Sequence, residues 1–139
     1  MTDNDSRSEL YYLWSTEIGK KNIEIDSIHY AGAINNLAGF YVRHGSAKRA
    51  LALYYESLGI YKLRLGTFNI EYARTINNIA NVYAIIGEVD SSISLLKEAL
   101  FLRKKIYGTN HFYYHEALCN LGVAYETKED YASAEPLFV

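Results

Sequence analysis

The stretch NNLAGFYVRHG at residues 35–45 recurs as NNIANVYAIIG at residues 77–87 and as CNLGVAYETKE at residues 119–129. Each copy lies 42 positions after the one before, and no gap is needed to align them. Further residues recur at the same offset: Tyr30, Tyr72 and Tyr114; Leu53, Leu95 and Leu137; and Gly66-Thr67 with Gly108-Thr109. Because so many spaced positions agree at one offset, the chain consists of repeats of a 42-residue structural unit.

Each unit contains two helical patterns separated by a turn. In the second unit, Gly87 is placed to end the first helix in a left-handed conformation, and Asp90 is placed to cap the next helix. Apolar residues recur at spacings of three and four on both sides of this turn: Ile76, Ile79, Ala80 and Tyr83 before it, and Ile93, Leu96, Ala99 and Leu100 after it. This spacing puts the apolar side chains on one face of each helix, which predicts a pair of amphipathic helices in every unit.

The repeat also sets the expected boundaries. First helices are predicted near residues 28–43, 70–86 and 112–127, second helices near 47–64 and 90–106, and a truncated second helix from residue 131. Residues 7–21 fit the second helix of an earlier unit. The expected organisation is a disordered tail at 1–6 and then a single array, made of a half repeat 7–26, repeats 27–68 and 69–110, and a partial repeat 111–139. Because the repeats start and stop out of phase with the chain, we expect a window from a longer array.

Composition and charge exclude several classes of protein. Half of the residues are apolar, so the chain can bury a continuous core, and its formal charge of −2 gives no electrostatic case for binding nucleic acid. Cys119 is the only cysteine, which rules out an intrachain disulfide and favours a reducing compartment. The N-terminus has no signal-peptide pattern, and no apolar stretch approaches the ~20 residues that span a bilayer. We therefore expect a cytoplasmic protein that binds neither nucleic acid nor a membrane.

No motif for catalysis is present. The sequence contains no P-loop, no G-x-S-x-G and no G-x-G-x-x-G. His111 and His115 lie four residues apart, as metal ligands on one helix face do, but no third ligand accompanies them. Cys119 has no accompanying His or Asp motif and is predicted to be a small, partly buried thiol. The run Arg103-Lys104-Lys105 is interpreted as a solvated helix end, with an electrostatic partner site as the alternative. The prediction is a protein without enzymatic activity, metal or cofactor.

The run NNLAGFYVRHGSAKRALALYYESL at residues 35–58 resembles the tetratricopeptide repeat. The matching positions are Ala38, Tyr41, Gly45, Ala50, Tyr54 and Ser57. The longer period, with LGTFNIEYARTINNIANVY at 65–83 and YGTNHFYYHEALCNLGVAY at 107–125, is similar to the kinesin-light-chain subtype of this family. Phe112, Glu129 and Ser92 depart from the pattern, in place of a proline, a glycine and an alanine. We expect none of these three changes to break the pairing of the helices.

The resemblance implies an all-α fold, a right-handed superhelical solenoid of antiparallel helix pairs with about three repeats. In such solenoids the first helix of each pair lines a concave groove. The implied function is that of a protein–protein interaction scaffold, which binds a peptide or partner segment in this groove. In several tetratricopeptide grooves, an asparagine at the position of Asn36, Asn78 and Asn120 reaches the backbone of the bound peptide.

The predicted groove residues are amides and arginines of the first helices: Asn35, Asn36, Arg43, Arg74, Asn77, Asn78, Asn81 and Asn120. An amide offers both a donor and an acceptor to an extended backbone, and an arginine suits a carboxylate. In a second interpretation, the asparagines hold helices together through buried hydrogen bonds. Tyr30, Tyr72 and Tyr114 have two interpretations as well, packing between helices or edging the groove. A chaperone-tail clamp is disfavoured, because only one of Gly32, Arg74 and Glu116 is basic.

Two other functions compete with peptide binding. The chain could be a structural unit that forms homo-oligomers or larger assemblies through exposed apolar repeat ends. It could also be the sensor segment of a larger regulatory protein or enzyme.

Overall fold

A computed structural model describes residues 2–24 and 26–139 of the chain. In these ranges the regular elements are all helical: α1 (Asp3–Lys21), α2 (Ser27–Arg43), α3 (Ala47–Leu65), α4 (Ile70–Ile85), α5 (Val89–Tyr107), α6 (Phe112–Thr127), α7 (Tyr131–Ala134) and a final 3-10 turn (Glu135–Leu137). The all-α prediction is confirmed. The predicted bounds of α2 to α6 agree with the structure to within one residue at each end.

The chain divides into two compact units, one that ends at Arg64 and one that spans Leu65–Val139. In the N-terminal unit, α2 packs against α1, where the rings of Tyr12 and Phe40 lie 5.7 Å apart. Ser57 of α3 donates a hydrogen bond of 2.9 Å to the backbone carbonyl of Ala31 in α2. The buried side chains of α2 thus meet both neighbouring helices.

In the C-terminal unit, successive helices from α4 to α7 pack against one another. A buried cluster in this unit joins residues of α4, α5 and α6: Ala80, Ile93, Leu96, Leu121 and Ala124. Small side chains recur at buried positions, since Ala38 of α2 and Ala80 of α4 are fully buried at equivalent positions of the repeat. Small residues at these positions let the helix backbones approach closely, which explains the repeated alanines in the sequence.

The corner between the two helices of each repeat has the same geometry three times. The amides of Ser46, Glu88 and Asp130 donate to the carbonyls of Tyr41, Tyr83 and Tyr125 at 2.8, 2.9 and 2.9 Å. The residue before each of these amides has a positive φ: Gly45 at 74°, Gly87 at 86° and Glu129 at 63°. Glycine adopts this conformation without strain, whereas a glutamate does not. The corner therefore forms at Glu129 despite an unfavourable residue.

Residues 3–6 are helical, so the prediction of a disordered tail at 1–6 is wrong for them; Met1 lies outside the described residues. The Thr2 hydroxyl accepts a hydrogen bond of 3.2 Å from the Asp5 amide, and the Asp5 carboxylate accepts one of 2.9 Å from the Thr2 amide. This reciprocal capping box satisfies two amides that a helix start leaves unpaired. Hydrogen bonds from Thr2 also hold the pKa of Asp5 below its ordinary value.

Replacing Ser92 with alanine is expected to stabilise the protein by about 1 kcal/mol. Ser92 is fully buried, and its hydroxyl has no hydrogen-bond partner among the described residues, while Ala50 and Ala134 occupy the equivalent positions. The free energy of unfolding in urea measures the effect. Ser94→Ala, at an exposed position of the same helix, controls for helix propensity. If both variants gain the same stability, the Ser92 hydroxyl has a partner in solution.

Candidate functional site

The first helices of the C-terminal unit each leave one stripe of side chains accessible. We use the term open face for Arg74, Asn78, Asn81 and Ile85 on α4 together with Glu116, Asn120, Val123 and Thr127 on α6, which are all exposed or half-buried. The spacing of three and four residues keeps each set on one side of its helix. Amides lie at the centre of the open face, and the apolar side chains Ile85 and Val123 lie toward the C-terminal ends of the two helices.

An amide pair holds the two helices of the open face side by side. The side-chain amide of Asn120 on α6 donates a hydrogen bond of 3.1 Å to the side-chain oxygen of Asn77 on α4. Asn77 is only 6% exposed, whereas Asn120 is half-buried. The interpretation of these asparagines as links between helices therefore applies to Asn77. Asn120 takes part in the link and also reaches the surface.

Asn35 occupies the same position in the N-terminal unit as Asn77 does in the other. It is 5% exposed, and its amide donates to the Ser57 hydroxyl at 3.2 Å, which ties α2 to α3. Successive residues of a helix point about 100° apart, so the neighbour of an exposed residue can face the interior. The prediction that Asn35 and Asn77 present their amides to a ligand is wrong for this reason.

The other predicted groove residues are accessible. Asn36, Asn81 and Arg43 are exposed, and Asn78 is half-buried. Arg74 is exposed as well, and its guanidinium donates to the Glu71 carboxylate one turn earlier at 2.5 Å. Six of the eight predicted residues thus have side chains within reach of a partner, the exceptions being Asn35 and Asn77.

Arg103 is buried, so the interpretation of the whole run Arg103-Lys104-Lys105 as a solvated helix end is wrong for this residue. Its guanidinium donates to the Tyr113 carbonyl at 2.9 Å and to the Glu116 carboxylate at 2.6 Å. It also lies 5.7 Å from the centre of the Tyr113 ring. Guanidinium can satisfy several acceptors at once, which makes its burial tolerable. The end of α5 is joined to the start of α6 by this ion pair.

A small open pocket of about 70 Å³ lies beside this ion pair. It is lined by residues from α4, α5 and α6: Ile70, Ala73, Arg74, Arg103, Tyr107 and Tyr113. Burial raises the pKa of the Tyr107 phenol above its ordinary value, and the charge of Arg103 opposes this effect. The pocket combines two aromatic rings with two cations, each of which already has a carboxylate partner.

The repeated tyrosines at the starts of the first helices serve packing. Tyr30 is buried and donates to Glu56 at 2.7 Å, and burial together with this carboxylate raises its pKa to about 12. Tyr72 is equally buried, and burial, with the nearby Glu98, raises its pKa. Of the two interpretations offered by the sequence, packing between helices therefore holds for both residues.

His111 has a capping role in the structure, and Cys119 lies on the surface of α6. His111 caps α6, because its ring nitrogen accepts from the Tyr113 amide at 3.2 Å, and its ring stacks on Tyr107. In the part of the chain that the structure describes, no three metal-ligating side chains come together. Cys119 is exposed on α6, which corrects the prediction of a partly buried thiol. No described helix is both long and apolar enough to cross a membrane.

The model of the tetratricopeptide repeat family matches residues 30–100 and, in a second overlapping match, residues 71–138. The chain belongs to the tetratricopeptide repeat family. Repeats of this family (TPR) generally mediate interactions between proteins, and they are typically non-catalytic.

Solved TPR structures share the fold of the chain. BtubC (BKLC) from P. vanneervenii is 23% identical with a TM-score of 0.87, over 96% of this chain and 54% of that one. The nearly identical TPR-like repeats of a kinesin light chain candidate from Podosopora anserina are 17% identical with a TM-score of 0.85, over 96% of this chain and 63% of that one. The chain therefore spans between about half and two thirds of these structures. A search of curated proteins found no match.

Proposed function

We propose that the chain is a protein-interaction module that binds an extended or partly helical peptide on its first helices. The observation that carries this proposal is the amide pair of Asn77 and Asn120, a hydrogen bond of 3.1 Å between side chains of α4 and α6. The amides of Asn81 and Asn120 consequently lie on one accessible face. Their function would be to pair with the peptide backbone, since an amide supplies both a donor and an acceptor.

The open face also offers contacts for side chains of the peptide. Ile85 and Val123 are exposed apolar residues beside the amides, and they suit an aliphatic or aromatic side chain of the ligand. Arg74 is half-exposed and would pair with a carboxylate by exchanging its surface contact with Glu71, which contributes little in water. A peptide with one apolar anchor and an acidic residue fits this arrangement.

The N-terminal unit has equivalent residues on α2. Asn36 is exposed at the register position of Asn78 and Asn120, and Arg43 is exposed about two helical turns further on. Both side chains are available for a partner because they are exposed. The neighbouring amide of Asn35, in contrast, is buried and bonds to α3. These two residues, Asn36 and Arg43, form an equivalent candidate surface of the N-terminal unit, taken by itself.

The proposal predicts that the double variant Asn36→Ala/Asn81→Ala loses binding but not stability. Peptides are first selected with the unchanged protein from a random peptide display library, and their affinities are measured by fluorescence anisotropy. We expect affinity to fall at least tenfold, about 1.4 kcal/mol, while the free energy of unfolding changes by less than about 0.5 kcal/mol because both side chains are exposed.

Two exposed amides away from the first helices, Asn4 and Asn110, provide the matched control as Asn4→Ala/Asn110→Ala. This control should bind the selected peptides as the unchanged protein does. If the peptides bind the Asn36 and Asn81 double variant equally well, the first helices are not the binding surface. A selection that returns no binding peptide at all would contradict the proposed function itself.

A further inference from the structure

Two phenylalanines form an exposed pair on the C-terminal unit, outside the open face. Phe68 lies in the turn before α4 and Phe101 on α5, and their ring centres are 6.4 Å apart in an edge-to-face arrangement. Phe68 is 63% exposed and Phe101 is 52% exposed. A pair of exposed aromatic side chains in contact indicates a binding surface more strongly than a single exposed hydrophobic residue does.

The repeat shows that the fold does not need these rings. At the register position of Phe68, the neighbouring repeats have Asp26 and Asn110, and at the position of Phe101 they have Glu17 and Gly59. Those residues are polar or lack a side chain, yet the helices around them form the same repeat. The aromatic pair is therefore peculiar to this repeat and has no role in the shared packing.

The aromatic pair lies among unpaired positive charges. Lys104 and Lys105 follow Phe101 by three and four residues on α5, and the ammonium of Lys105 lies 5.7 Å from the centre of the Phe101 ring. Neither lysine forms an ion pair with another residue in the described ranges. The nearest carboxylate along the helix, Glu98, interacts with the hydroxyl of Tyr72. We call Phe68, Phe101, Lys104 and Lys105 the aromatic–basic patch.

We propose that the aromatic–basic patch is a second docking site, which binds an acidic segment of a partner protein through one of that segment's apolar side chains. The two ammonium groups complement carboxylates, and the edge-to-face rings provide a rigid apolar contact of the kind that anchors protein interfaces. Exposed aromatic residues beside lysines would otherwise only lower solubility.

The number of charges favours a protein over a phosphate polymer or a lipid surface. Two lysines would release only about two counterions from a nucleic acid, and they would contribute roughly 2 kcal/mol at an anionic membrane. Both contributions are small, and the chain as a whole has a formal charge of −2. A short acidic segment with an aromatic or aliphatic side chain uses both the charges and the rings.

The second site lies on α5 and the turn before α4, whereas the open face belongs to α4 and α6. The two sites share no residue, so they could hold different segments at the same time. The proposal for the patch does not depend on peptide binding at the open face. An experiment can therefore test each of them with its own variants.

The test is a selection from an unbiased random peptide display library on the unchanged protein. Peptides that also bind the variant Phe68→Asn/Phe101→Gln are removed by counter-selection. Both substitutions are at exposed positions, so circular dichroism and the melting temperature should stay unchanged. We expect the retained peptides to combine at least two acidic residues with an aromatic or aliphatic residue. Lys104→Glu/Lys105→Glu should weaken their binding at least tenfold.

The control reverses two lysines in the same position of another helix, as Lys20→Glu/Lys21→Glu in the last turn of α1, and should change the affinity by less than twofold. The variant Asn36→Ala/Asn81→Ala should bind the retained peptides fully, which separates this site from the open face. Peptides without acidic residues, or peptides that bind the Lys104 and Lys105 variant normally, would overturn the proposal. So would a protein that binds phosphatidylserine vesicles or poly-uridine RNA through the patch while no peptide is retained.

Discussion

Replacing Glu116 with alanine is expected to lower the free energy of unfolding by about 2–3 kcal/mol. The substitution removes the carboxylate that lies 2.6 Å from the guanidinium of Arg103. The Arg103 side chain is only 6% exposed, so water replaces the lost carboxylate poorly, and a buried charge without a counter-charge is unfavourable. Glu116 is 40% exposed, so the expected loss of stability is smaller than for a fully buried ion pair.

Urea denaturation of three variants separates this effect from a general loss of contacts. Glu71→Ala removes the carboxylate of the exposed pair with Arg74 and should change stability by less than about 0.5 kcal/mol. Arg103→Met/Glu116→Ala should be more stable than Glu116→Ala alone, because the double variant leaves no buried charge. If Glu116→Ala is no more destabilising than Glu71→Ala, the guanidinium of Arg103 is solvated in solution and the ion pair has little importance.

Replacing Gly19 with alanine is expected to destabilise the protein by about 1–2 kcal/mol, since overpacking a close helix contact forces the backbone to shift. A β-carbon at Gly19 of α1 would lie 3.1 Å from the α-carbon of Tyr30 in α2, and 3.3 Å from its ring. The backbone of Tyr30 cannot rotate away as the tip of a flexible side chain would. The absence of a side chain at Gly19 therefore sets how closely the two helices approach.

Gly59→Ala provides the matched control, because Gly59 is also a helical glycine and nothing lies within 4 Å of a β-carbon placed there. This substitution should stabilise the protein by about 1 kcal/mol through helix propensity alone. The free energies of unfolding of the two variants should thus change in opposite directions. If both variants are stabilised, α1 and α2 are farther apart in solution than the 3.1 Å contact between a β-carbon at Gly19 and the Tyr30 α-carbon implies.

The bounds of α2 to α6 could be predicted closely from the sequence because each of these boundaries recurs in another copy of the repeat. Gly45 and Gly87 lie at the same corner in two copies, and the spacing of apolar residues by three and four on both sides of the corner recurs as well. An ambiguous residue in one copy is therefore resolved by its equivalents in the others. The helix start at Asp3 has no such equivalent within the chain, and a capping box between Thr2 and Asp5 is a local signal that the repeat does not contain.

The site residues were harder to predict because adjacent positions of a helix serve different purposes. Asn35 and Asn36 are identical in sequence, but one is buried against Ser57 and the other is exposed. The burial of Arg103 had one signal in the sequence, since its register equivalent is an aromatic residue, Tyr61, which is also buried. Its pairing with Glu116 had none, because the residues equivalent to Glu116 are a glycine and an arginine.

The left-handed backbone at Glu129, with a φ of 63°, has a consequence for how the chain opens under native conditions. A non-glycine residue in this conformation costs about 1 kcal/mol, which is released when the corner between α6 and α7 unfolds locally. The corners at Gly45 and Gly87 release no such strain, although they have the same hydrogen bonds. Amide hydrogen exchange should therefore be faster at Asp130 than at Ser46 and Glu88. We expect the corner at Glu129 to open first, so that α7 detaches while the remaining helices stay folded.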